Sequence, residues 1–67
     1  MDKSEIERYI DQSVNIEYKT DNIRFSLNGI ITAVTLKKVV FLLFGGAEDD
    51  ENELMIPICD VNKIKKL

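Results

Sequence analysis

The sequence predicts a mainly β chain of the α+β class: an N-terminal helix over residues 1–12 and, over 13–67, a five-stranded, strongly bent antiparallel small barrel. Three observations predict it. Val39-Val40-Phe41-Leu42-Leu43-Phe44 is an unbroken apolar run, stopped by Gly45-Gly46 and an acidic stretch, and a strand apolar on both faces must be covered on both. Around that run, apolar and polar residues alternate with period two. Ahead of the alternation, Ile6, Tyr9 and Ile10 recur at helical spacing. A sheet curled around one face, with a helix or a second subunit over the other, satisfies all three.

The helix starts at Ser4, which with Glu7 fits a capping box, and its apolar stripe runs to about Gln12. Its other face carries Glu5, Glu7, Arg8 and Asp11. From Val14 the period becomes two: Val14, Ile16 and Tyr18 face one way, Asn15, Glu17 and Lys19 the other. Thr20-Asp21-Asn22 has the small polar residues of a turn, after which Ile23, Phe25 and Leu27 resume the alternation. Asn28-Gly29 reads either as a hairpin turn or as the bend in one long strand reaching about Leu36, and the bent strand is the favoured reading. Lys37-Lys38 reads as a tight turn before the apolar run. Beyond residues 45–53, Leu54, Ile56 and Ile58 alternate with Met55, Pro57 and Cys59, and Pro57, without an amide hydrogen, places this strand at an edge. Asp60-Val61-Asn62 reads as a 3₁₀ turn, and Lys63-Ile64-Lys65-Lys66-Leu67 as a short basic strand. Phe25, Phe41 and Phe44 all read as core.

A chain of 67 residues is a single domain near the lower limit of independent folding, since one this short buries only about 60% of its unfolded surface. Such scaffolds need a staple. Cys59 is the one cysteine and there is no histidine, so neither an intramolecular disulfide nor a zinc-ligand spacing is available. Self-association is the expected staple, as a homodimer or, less favoured, a ring made by edge-strand pairing. The lone thiol points to a reducing, cytoplasmic setting. Neither a signal peptide nor a membrane span is expected, six apolar residues being too few to cross a bilayer.

The net charge of −3 is unevenly placed: Glu48, Asp49, Asp50, Glu51 and Glu53 supply five of the 12 acids, leaving seven acids against nine bases elsewhere. These five residues form a candidate acidic partner patch, with a solvated gatekeeper beside the apolar strand as the plainer reading.

The stretches Val14–Tyr18, Gly29–Val34, Val40–Leu43 and Ile56–Ile64 together resemble the pattern of Sm-like and SH3-like small barrels and, more narrowly, of the YolD-like family of small Firmicutes and phage proteins. The resemblance spans nearly the whole chain and rests on hydrophobic spacing. An Sm-like protein would form ring oligomers and bind RNA at the loop after the bent strand. There, where RNA-binding members carry an Asp and a nearby Asn, this chain has Thr35-Leu36-Lys37-Lys38-Val39, so the resemblance speaks for the barrel rather than for the RNA pocket.

No catalytic constellation is visible: there is no His, no Cys–His or Ser–His pair, and the glycines form no phosphate-cradling pattern. The acidic run lacks the ligand spacing of an EF-hand. The sequence therefore predicts neither an enzyme nor a bound metal or cofactor. Lys37, Lys38, Lys63, Lys65 and Lys66 are the candidate nucleic-acid contacts, weighed against lysines that keep strand edges from pairing. Two function classes result. The first is a non-enzymatic binding or regulatory module, of the kind small phage or mobile elements carry, acting through protein contacts as an oligomer. The second is a nucleic-acid- or nucleotide-binding small barrel.

Overall fold

The computed structural model describes residues 1–45 and 53–67. A short helix, α1 (Lys3–Glu7), precedes β1 (Ser13–Thr20), β2 (Ile23–Val34), β3 (Lys38–Leu43) and β4 (Glu53–Pro57); a 3₁₀ turn, Ile58–Asp60, leads to β5 (Val61–Lys66). The strands form one antiparallel sheet in the order β4-β3-β2-β1-β5. No ladder joins β4 to β5 among the described residues, so the sheet is open.

It is nevertheless coiled. Four strand spacings of about 4.8 Å would hold the edges of a flat five-stranded sheet about 19 Å apart, yet Pro57 of β4 and Val61 of β5 are separated only by the 3₁₀ turn, a reach of at most about 15 Å. Two features of β2 help it curve. The strand runs unbroken through Gly29, so Gly29 lies within the long strand and not in a hairpin turn. Two residues further, its register with β3 shifts between Ile31 and Ala33, a bulge that bends the strand locally.

The hairpin between β1 and β2 closes on Asp21-Asn22, both at positive φ (52° and 65°). A two-residue loop with both residues left-handed matches the twist of the strands it joins, and Asp and Asn tolerate that conformation better than most side chains.

Val14, Ile16, Ile31, Val39, Phe41, Ile56, Val61 and Ile64 form one buried cluster on the inner face, and Ile6 of α1 completes it. The N-terminal segment lies across that face. The Met1 amine donates to the Val61 carbonyl (3.3 Å) at one end, and Ile10 bridges Ile31 at the other. Tyr9 and Ile10 pack against the cluster as the helical spacing predicts.

Four expectations are corrected. The helix ends at Glu7 rather than near Gln12, and its capping box is Asp2–Glu5 rather than Ser4–Glu7. Past Glu7 the chain continues in three-residue turns, with Gln12 N donating to Tyr9 O, until Asp11, at φ 67°, redirects it into β1. The 3₁₀ turn lies at Ile58–Asp60, two residues earlier than Asp60–Asn62. Of the three phenylalanines only Phe41 is core: Phe25 is 36% and Phe44 45% exposed. The apolar faces of both flanking strands simply outrun the part of the sheet that is covered.

Candidate functional site

The outer face of the sheet divides into two halves. Across β2, β3 and β4 it is apolar at its centre, with Glu53 registered with Leu42 and Lys38 with Pro57 at its two ends. Ile30 registers with Leu42, and Ala33 with Val40, which registers in turn with Met55. Ile30 and Val40 are half-buried, while Leu42 is 39% and Met55 60% exposed. Because Ile6 belongs to the inner cluster with Phe41, the helix covers none of this half.

Across β5, β1 and β2 the same face is polar. Lys65, Asn15 and Asn28 form one row, Lys63, Glu17 and Ser26 the next, and Lys19 faces Arg24. Asn15 Nδ2 donates to Asn28 Oδ1 (2.9 Å) and to Ser26 Oγ (3.0 Å), tying the two strands together above their ladder. The one ion pair among the described residues is Lys3–Glu7 at 3.5 Å, within α1.

The five candidate lysines do not form one patch. Lys63 and Lys65 lie on the outer face of β5, while Lys66 registers with Val14 and belongs to the opposite face. Lys37 and Lys38 stand at the β2–β3 turn, where Thr35 Oγ1 accepts from Lys38 N (3.0 Å), and line an apolar cleft of about 640 Å³ with Leu36, Pro57, Ile58 and Cys59. Cys59 itself is exposed, its thiol donating to Asp60 Oδ1 at 3.8 Å. Of the acidic candidates, Glu53 is exposed at the start of β4, and Glu48, Asp49, Asp50 and Glu51 lie outside the described residues. No three acidic or thiol side chains gather within metal-ligand range among the described residues, and none of their helices is long and apolar enough to cross a membrane.

A second cleft, of about 710 Å³, joins the distal half of the β1–β2 hairpin to β5; its walls include Glu17, Lys19, Arg24, Lys63, Tyr18 and Phe25. Tyr18 and Phe25 stack with ring centroids 5.0 Å apart and planes 17° from parallel. Burial pushes the Tyr18 phenol above its ordinary value of 10.0. Lys19, Arg24 and this aromatic pair are absent from the sequence-derived candidates. The turn at Asp21-Asn22 was the signal available, because it sets Lys19 opposite Arg24 and Tyr18 opposite Phe25.

Comparison with family models, characterised proteins and solved structures finds no match. The functional reading therefore rests on the two faces themselves.

Proposed function

We propose that this chain is a non-enzymatic binding module that acts through protein–protein contacts as a homo-oligomer, with the apolar half of the outer sheet face as its contact surface. The observation that carries it is the juxtaposition of Leu42 and Met55, both exposed, with half-buried Ile30 and Val40 in adjoining strands. Single exposed apolar residues are ordinary, but a contiguous apolar area on a small domain marks a contact surface. The core does not need these side chains, since Phe41, Ile16 and Ile56 already fill the inner face with Ile6.

An Sm-like or SH3-like barrel is the finer architectural part of the same proposal. Its support is the strand order β4-β3-β2-β1-β5, with one 3₁₀ turn carrying the chain from edge to edge. A symmetric dimer is the favoured assembly, because a two-fold axis lets one apolar patch cover its own copy and closes the assembly. The test is the solution mass of the wild-type chain against that of a Leu42→Ser/Met55→Ser variant, in which the patch is removed and the inner core is untouched.

A further inference from the structure

We propose that the free edge of β2 over Ile23–Leu27 is a docking site for an extended segment of another protein, one whose apolar residues alternate with acidic ones and which adds to the sheet as a strand beside β2. This goes beyond the oligomer reading and does not depend on it, because the apolar contact half lies at Ile30, Val40, Leu42 and Met55.

The first argument is backbone. β2 pairs with β1 from Ile23 to Ile30, but its ladder with β3 ends at Gly29↔Leu43. One further bond follows, from Phe44 N to Asn28 O (2.9 Å), after which Gly45, at φ 76°, leaves the strand conformation. Backbone groups in an antiparallel strand point alternately to either side. Asn28 points away from β1, so Ser26 and Arg24 do as well, and among the described residues no strand meets their N–H and C=O groups. An open row of this kind is a template on which an extended chain pairs.

The two faces beside that edge determine what the added strand must carry. On the inner face Ile23 is 56% and Phe25 36% exposed. Tyr18 stacks on Phe25 with centroids 5.0 Å apart, and half-buried Leu27 packs on the core. These side chains continue the apolar inner face past the end of β3, and a strand placed there would cover them. On the outer face Arg24 stands directly opposite Lys19, like charges that weaken a strand pair, and no carboxylate forms an ion pair with either among the described residues. An acidic residue opposite Arg24 relieves that repulsion. A second copy of β2 would instead bring another Arg24 and Lys19 to the seam, so charge favours an acidic partner. Because side chains of a strand alternate between its faces, alternating apolar and acidic residues satisfy both at once.

The experiment is fluorescence anisotropy at about 50 mM salt, where surface charges are little screened. The probe is a labelled, end-blocked peptide of alternating valine and glutamate, about nine residues long, enough for one strand. The wild-type chain is expected to bind it about fivefold or more tightly than the valine–lysine analogue, and to lose binding to a fully N-methylated version, which has no backbone donor. R24E should reverse the preference between the two charged peptides. Ser26→Pro removes an N–H that faces away from β1, leaves that ladder intact, and should weaken binding about fivefold or more. K37Q/K38Q removes charge elsewhere and should stay within about twofold of wild type. L42S/M55S should bind as the wild type does, which separates this site from the oligomer face. Circular dichroism confirms that each variant is folded, and the peptide series reads the same bonds on the unaltered chain. The proposal is overturned by absence of binding, by equal affinity for the two charged peptides, by full affinity for the N-methylated one, or by loss of binding in L42S/M55S. Wild-type dimers that Ser26→Pro abolishes would also overturn it, giving the edge to a second copy.

Discussion

The phenyl ring of Phe41 occupies the space that a side chain on Gly29 would need. A Cβ built on Gly29 would stand 2.7 Å from Phe41 Cζ and closer still to the Leu42 carbonyl oxygen. One of those neighbours is the fully buried ring at the centre of the core and the other is backbone of the adjoining strand, so neither can move aside cheaply. The glycine is what lets β2 pass directly beneath the largest core side chain. Gly29→Ala should therefore destabilise the domain by about 1–3 kcal/mol through overpacking. At this chain length that lowers the melting temperature by about 4 °C or more. A thermal melt checks it, and an unshifted midpoint would mean that the ring does not sit over the glycine.

Adjacent residues of β3 should behave oppositely. Phe41 is fully buried and Leu42 is 39% exposed on the other face. Phe41→Ala is expected to cost about 3–5 kcal/mol, a large part or all of the stability of so short a domain. Leu42→Ser should fall within about 0.5 kcal/mol of the wild-type monomer, as surface changes do. Urea unfolding at low protein concentration compares them, and similar losses in both would rule out the assignment of inner and outer faces.

The hairpin loop offers a separate test of backbone geometry. Asn22 adopts φ 65°, which a β-branched side chain resists. Asn22→Val should cost about 1–2 kcal/mol, while Asn22→Gly should be neutral or stabilising, since glycine takes that conformation freely. If the two variants melted together, the turn would not have the left-handed form described.

Burial raises the Tyr18 phenol above 10.0, so the folded chain holds that proton more tightly than the unfolded one. The linked stability is fully present below about pH 10, the unfolded value, and is lost as pH rises through the higher folded value. Chemical denaturation across the alkaline range should show this decline, and Tyr18→Phe should lack the part of it that belongs to Tyr18. An identical alkaline decline in both proteins would remove Tyr18 as its source.

Much of this arrangement is legible in the residues. The alternation from Val14 to Leu27 assigns the inner and outer faces, Asp21-Asn22 marks the hairpin, and Pro57 correctly indicates an edge strand, since β4 closes one side of the sheet. Periodicity tells which way a side chain points but not how far its cover extends. For that reason Phe25 and Phe44 read as core although 36% and 45% of their surfaces are exposed. The helix is shorter than its apolar stripe because Ile6, Tyr9 and Ile10 can meet the core from successive three-residue turns as well as from an α-helix. The capping signal was ambiguous too, since Asp2 and Glu5 have the same spacing as Ser4 and Glu7. The cationic hairpin was hidden for a different reason. Lys19 and Arg24 are unremarkable in sequence and become opposed only through the register of β1 with β2.

The claim that the outer apolar half is a contact surface between copies is tested most directly by light scattering across a concentration series, on the wild-type chain and on Leu42→Ser/Met55→Ser. The account predicts a wild-type mass that rises above the 7.7 kDa of one chain toward a dimer with concentration, and a variant that stays folded at the monomer mass throughout. A wild-type chain that remains at 7.7 kDa at high micromolar concentration, or a variant that associates as strongly as wild type, would contradict it.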